Sequence, residues 1–370
     1  MTNHYTGLAR GFPLQSMCVL TVKVPNNMVD STFDFPVYRS RVTEEEVRRF
    51  PNNWTWYKQA LQIINREKID VILCGNFRPF SYVAYWIHHK TNLPYFIFFH
   101  GDDLLKVCFK IRQNRLKKRF YSRIIDQASG FIANSQFTAK LISTELGVER
   151  KPIVICNPGV RNEYLNLPLY PPFKSRGCHL LSVGRLAPRK NVDKVIEALP
   201  LLVDKIKPLH YTVVGRKDPS APYALSEYKA IARKLGVEDI VSFIGFFSDQ
   251  EMQRLYQQCD LFVMVSLMIP EVTSVEGFGI VFLEANAFGK PVIGSRSGGI
   301  PDAIIPEQTG LIVEDPSSVD EIADKILHLY NNQNMAEAMG RVGHYRVNSK
   351  FRYDRIAPQL VHDIHSVLRV

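Results

Sequence analysis

The sequence predicts an α/β protein built as two doubly wound halves, and three observations carry that reading. Apolar runs rich in β-branched and aromatic residues alternate with helical stretches through the first half, the signature of parallel strands joined by crossover helices. A stretch without period, residues 160–178 (VRNEYLNLPLYPPFKSRGC, with Pro168, Pro171 and Pro172), then interrupts the pattern. The alternation starts again beyond it, and 370 residues are too many for one ordinary core.

In the first half, MCVLTV (17–22), DVILCG (70–75), PYFIFFHG (94–101), GFIANS (130–135) and PIVICNPG (152–159) read as buried strands. Each is a short, nearly continuous apolar run, as in a parallel sheet. Helices are expected between them near 54–67, 79–91, 104–128 and 137–146. In the second half HLLSVG, HYTVVG, IVSFIG, LFVMVS, KPVIGS and TGLIVE read as strands. Their helices are expected near 191–206, 224–236, 249–258, 280–288, 300–304, 318–331 and 333–348. The organisation is then a first domain over 1–160, a linker over 161–178, a second domain over 179–350 and a final helical segment over 351–370.

With 46% hydrophobic and 22% charged residues, the composition is that of a globular protein. No apolar run approaches the roughly 18–20 residues of a membrane span, and the N-terminus lacks a signal-peptide layout. The six cysteines are scattered without CxxC spacing, which fits thiols in a reducing compartment and predicts a cytoplasmic protein. Residues 1–160 hold 22 Lys and Arg against 12 Asp and Glu, whereas 161–370 hold 24 against 24, so the whole excess of +10 lies in the first half. Its densest stretch, KVCFKIRQNRLKKRFYSR (106–123), interleaves eight cations with Val107, Phe109, Ile111, Leu116, Phe120 and Tyr121. Such a stretch fits an anionic membrane surface, an acidic acceptor or a solvated helix face. Nucleic acid is not expected as a partner, because no binding module accompanies the charge.

The segment VEGFGIVFLEANAFGKPVIGSRSGGIPDAI (275–304) carries the chemistry. Glu276 and Glu284 stand eight positions apart across a Gly-rich turn, and Gly277 and Gly279 allow the backbone amides close to a ligand. A helix starting at Ile280 would present free N–H groups to anionic oxygens. Two carboxylates able to bind hydroxyls, with amides for phosphates between them, fit a sugar nucleotide. A second motif, LLSVGRLAPRKNVDKVIEAL (180–199), ends a strand at Gly184 and supplies Arg185 and Lys190, cations suited to a diphosphate beyond the strand's carboxyl end. Arg189 is given no role. FFHGDDLLK places His100 at the end of a first-half strand. Asp102 and Asp103 behind it either orient an acceptor or cap the basic helix.

On the residues from Val275 to Ile304 and the GR…K pattern, the chain resembles the retaining glycosyltransferases of family 4. It is most similar to phosphatidylinositol mannoside-type mannosyltransferases and related enzymes of envelope polysaccharide assembly. The resemblance implies the GT-B fold, two Rossmann-like domains facing a central cleft, with the last helix crossing back to the first domain. The family's first strand and paired-glycine loop have no counterpart in LARGFPLQSMCVLTV, where Gly7 and Gly11 are the available stand-ins, so the chain is expected to be N-terminally truncated. The implied activity is retaining transfer of a hexose from a nucleoside diphosphate sugar to an acceptor hydroxyl, in lipid, lipopolysaccharide or polysaccharide assembly. No metal or other cofactor is expected. The implied roles give Arg185, Lys190, Glu276 and His100 to catalysis. Gly184, Gly277, Phe278, Gly279, Ile280, Glu284 and Phe246 go to substrate binding, with Glu276 on the sugar, Glu284 on the ribose and Phe246 at the base. The expected place of work is the cytoplasm, peripheral to the inner face of the plasma membrane. Two other readings stand beside this one: a GT-B binding module without catalysis, and a glycosyltransferase with a soluble small-molecule acceptor.

Overall fold

The computed structural model describes residues 2–13, 16–22, 33–43, 45–48, 51–173, 177–245, 248–269 and 274–369. The chain divides into two compact units, Met1–Gly159 with Tyr353–Val370, and Val160–Arg352. Among the described residues no helix is long and apolar enough to cross a membrane.

In the first unit, helix Thr2–Gly11 precedes two short strands, β1 (Val19–Thr21) and β2 (Val37–Arg39), which pair in parallel. The sequence reading did not include β2. The main sheet follows as β3 (Ile72–Cys74), β4 (Tyr95–Phe99), β5 (Gly130–Ala133) and β6 (Ile153–Ile155), parallel and in that spatial order. All five residues of β4 are buried, and the two-residue period of a strand sorts them. Tyr95, Ile97 and Phe99 pack with Leu104, Val107, Tyr121 and Ile124 on one face. Phe96 and Phe98 pack on the other with Leu8, Ala357, Leu360 and Ile364, so helices Thr2–Gly11 and Tyr353–Leu368 cover that face. Gly7 and Gly11 belong to this contact and not to a ligand loop. A Cβ on Gly7 would fall 2.2 Å from the Tyr353 ring, and one on Gly11 would fall 2.1 Å from the Tyr353 carbonyl oxygen.

The single helix expected over 104–128 is two, Asp102–Gln113 and Arg115–Gln127. Asn114 is extended, at φ −141° and ψ 112°, and its side chain accepts the Lys117 N–H at 2.9 Å. It is an N-cap that restarts the helix in a new direction.

The second unit contains β7 (Cys178–Val183), β8 (Leu209–Val214), β9 (Val241–Ile244), β10 (Leu261–Met264), β11 (Val292–Ser295) and β12 (Gly310–Val313). They form one parallel sheet in the order β12-β11-β10-β7-β8-β9. The strand order reverses between β7 and β10, so the loops leaving their carboxyl ends run to opposite sides, the usual ligand position in such sheets. The helix expected over 191–206 is shortened to Val192–Ala198, with a 3-10 turn at Leu199–Leu201, because Pro200 lacks the N–H a continuing helix needs. Part of the stretch read as a linker is core: Val160, Tyr164 and Leu165 are buried beside Tyr256, Phe282 and Phe288. The absence of period hid a 3-10 turn, Asn162–Tyr164, that drives these side chains inward.

Candidate functional site

Both motifs of the second unit leave the sheet at the reversal point. Gly184, Arg185 and the 3-10 turn Pro188–Lys190 follow β7, and the Glu276 turn follows β10 and leads into helix Ile280–Ala287. Gly279 caps that helix at φ 92°, a conformation that strains any residue with a Cβ, and a Cβ there would lie 2.7 Å from the Phe282 ring. The first-turn amides of the helix, from Ile280 on, have no carbonyl partner within it. The Gly299 N–H donates to the Glu276 carbonyl at 2.8 Å, tying the turn after β11 to this one.

Glu276 is shared by two cations. Its Oε2 lies 2.5 Å from Lys190 Nζ and 2.7 Å from Arg189 Nη1. Burial pushes the carboxyl up, but the two positive charges outweigh it and hold Glu276 down at about 2. Lys190 is itself buried, which lowers its pKa against the pull of Glu276, and its Nζ also approaches Met264 Sδ at the end of β10, 3.4 Å away. Arg185 is the more exposed member, with Nη1 2.8 Å from Asp218 Oδ2. The Ser220 N–H and hydroxyl donate to the other Asp218 oxygen at 2.9 and 2.6 Å. Burial favours the protonated form of Asp218, but these bonds and Arg185 win and lower its pKa. Three cations within reach of one another at a sheet's carboxyl edge suit a diphosphate.

Glu284 belongs to a neighbouring group in the same unit. Tyr256 donates its hydroxyl to Glu284 Oε2 at 2.9 Å. Burial raises the Glu284 pKa, while this hydrogen bond and the Arg161 charge oppose the rise. Arg161 pairs with Asp249 at 2.6 Å.

His100 lies in the first unit, just past β4. Its Nε2 is hydrogen-bonded to the Tyr5 hydroxyl at 2.5 Å, and the His100 backbone N–H donates to Asp103 Oδ1 at 2.7 Å. Asp103 therefore folds back on the strand end. Burial lowers the His100 pKa against the attraction of Asp103. The Phe278 side chain, assigned to substrate, is instead 2% exposed and packs in the core with Phe351, which leaves its backbone for a ligand. Phe246 lies outside the described residues.

Arg185, Lys190, Glu276, Gly184 and Gly277–Ile280 thus come to one edge, with Glu284 on the helix that starts there. Sequence reasoning missed Arg189, Asp218, Arg161 and Tyr256. For Arg189 the signal was Pro188, which opens the turn and places two successive cations near the same carboxylate. Asp218 follows β8 in VVGRKD, a strand end like that of Arg185. For the other two, only packing brings them to Glu284. Among the described residues no group of three or more His, Cys, Asp or Glu side chains is arranged to hold a metal ion.

Family models match both halves of the chain. Residues 19–164 match the family described as Glycosyltransferase Family 4, and residues 172–344 match the family described as Glycosyl transferases group 1. Both matches are to glycosyltransferase families, one over each half of the chain. The chain is 36% identical over 181 residues to the GDP-mannose-dependent alpha-(1-6)-phosphatidylinositol monomannoside mannosyltransferase of Mycobacterium tuberculosis. The match takes in 49% of this chain and 46% of that relative, so the chain spans less than half of the relative's length in it. Its fold is that of HepE from Anabaena, solved with UDP and glucose, at a TM-score of 0.74 and 18% identity over 98% of this chain and 95% of that one. Sucrose-phosphate synthase from Thermosynechococcus elongatus shares the fold at a TM-score of 0.76 and 20% identity, over 100% of this chain and 94% of that chain.

Proposed function

We propose that this glycosyltransferase moves a hexose, with retention, from a nucleoside diphosphate sugar to an acceptor hydroxyl in the assembly of envelope lipid or polysaccharide, without a metal. The observation that carries this reading is the Arg185, Arg189, Lys190 and Glu276 cluster where the sheet order reverses between β7 and β10. The cations and the amides before Val281 take the diphosphate and stabilise its negative charge as the glycosidic bond breaks. Glu276, ionised and anchored through Oε2, has Oε1 for sugar hydroxyls. Glu284 accepts from the ribose. The leaving phosphate oxygen takes the proton of the acceptor hydroxyl, which attacks from the same face of the sugar.

The M. tuberculosis relative is named for GDP-mannose and a phosphatidylinositol mannoside, and we carry both over as donor and acceptor class. The basic elbow of the first unit supports a lipid-bound acceptor. Around Asn114, residues 112–119 are exposed in series, with Leu116 81% and Phe109 47% exposed among the cations. The six cysteines are unpaired, in keeping with work on the cytoplasmic side. The test is transfer from GDP-mannose, and from a panel of other nucleoside diphosphate hexoses, to phosphatidylinositol mannoside vesicles and to inositol phosphate. Product with the donor's anomeric configuration, formed equally in EDTA, is the expected result. Inverted product, or activity lost in EDTA and restored by Mg²⁺ or Mn²⁺, would overturn the mechanism. No transfer from any donor, with nucleoside diphosphate still bound, would make the chain a binding module.

A further inference from the structure

Tyr256 is 0% exposed on helix Asp249–Gln258, and its ring is fixed from several sides. Phe288 stacks on it at 5.3 Å and 16°, Tyr164 meets it edge-on at 6.0 Å, and Phe262 lies at 6.2 Å. A phenylalanine would satisfy that packing. The hydroxyl is a polar group inside an aromatic cluster, and burying it is costly without a partner. Its partner is Glu284 Oε2, 2.9 Å away, on the first helix after the Glu276 turn. We propose that Tyr256 is the positioning residue of the Glu284 carboxylate, which occupies Oε2 and so turns Oε1 to the ribose hydroxyls of the nucleotide. This rests on the reading that Glu284 meets the ribose.

The geometry gives the bond a function that packing does not. Glu284 sits one turn into a helix with a flexible side chain of its own, and a ribose diol needs an acceptor held in one orientation. A rigid phenol supplies the constraint from a different element. The charged and titratable groups facing Glu284 are Tyr256 and Asp249 from one helix and Arg161 and Tyr164 from the segment before β7. Of these, Arg161 is engaged by Asp249, and Tyr256 donates its hydroxyl to the carboxylate. Removing the hydroxyl also removes a group that keeps Glu284 ionised against burial, so binding should fail at a higher pH.

The test uses the full chain, with GDP and UDP and the 2′,3′-dideoxy form of each as probes, followed by calorimetry across pH. The wild type should prefer the ribose form of the base it accepts on the order of tenfold, the effect of one or two hydrogen bonds to a charged group. Tyr256→Phe should lose most of that preference, with dideoxy affinity unchanged and the acid limit of ribose binding moved upward. Tyr256→Met, which also removes the hydroxyl but fills the space with a pliable side chain, must behave alike and serves if the phenylalanine variant does not fold. Glu284→Gln separates the two ideas. If it keeps the ribose preference, the ribose reading of Glu284 is wrong and the inference falls with it. If it loses the preference while a folded Tyr256 variant keeps it, the ribose reading stands and the positioning role is overturned.

Discussion

Glu276 accepts from Lys190 and Arg189 on one oxygen, and that sharing sets what a substitution there does. The pair is buried, so its stability does not come from attraction alone. Desolvation offsets much of the Coulomb gain, but removing one partner leaves the others uncompensated, at a cost of about 3–5 kcal/mol. Glu276→Gln should therefore unfold at lower urea, and added nucleoside diphosphate should recover much of the difference by giving the two cations an anion. The pH dependence has a definite sign. Glu276 is held below its ordinary 4.5, at about 2, so its contribution is complete above 4.5 and is lost as pH falls through about 2. The gap between wild type and Glu276→Gln in urea midpoint should be flat from neutral pH to about 5 and narrow below it. A gap that widens with acid would contradict the ion pair. Arg189 shows where sequence reasoning stops at this scale. GR…K named Arg185 and Lys190, while adjacency to Lys190 could not show that both side chains turn to one carboxylate.

The elbow at Asn114 is an element-scale device. Two amphipathic helices meeting at a capped bend put Leu116 at the tip, with Arg115, Lys117, Lys118 and Arg119 beside it, all exposed. Of the eight cations, Arg112 is paired with Glu145 at 2.5 Å, so its charge is already countered within the protein. Reversing Arg115, Lys117, Lys118 and Arg119 to Glu should abolish co-sedimentation with anionic vesicles, since each cation near the surface contributes up to about 1 kcal/mol. Leu116→Asp should weaken it even at low salt, by about 1.5–3 kcal/mol if the side chain is buried in lipid. Equal binding to neutral vesicles, or binding indifferent to both changes, would leave the elbow a solvated face. The sheet strands were legible because a covered parallel strand is a short apolar run, as YFIFF in β4. The break at Asn114 was not, because apolar spacing continues across it and only a capping side chain marks the restart. β2 escaped because its three residues, VYR, are half-buried and carry a charge.

At the scale of the whole molecule, the first unit is built from both ends of the chain. Helix Thr2–Gly11 meets helix Tyr353–Leu368 across two glycines, so Gly11→Ala should overpack that contact and destabilise the first unit by about 1–3 kcal/mol. Calorimetry should show the first unit's transition moving down and nucleoside diphosphate still raising the second's. A shift of the second transition alone would contradict the assignment. The alternation of strands and helices announced two sheets, and a family likeness brought the last helix back to the first. Composition and period could do neither for the 3-10 turn at 162–164, whose Tyr164 and Leu165 are core only because Phe288 and Tyr256 come to meet them. The return of the last helix also orders events during synthesis. A ribosome adds roughly 5–20 residues each second. Phe96 and Phe98 are therefore made roughly 250 residues, on the order of 10–50 s, before the helix that covers them. The half made first must wait for residues that follow the whole of the second unit.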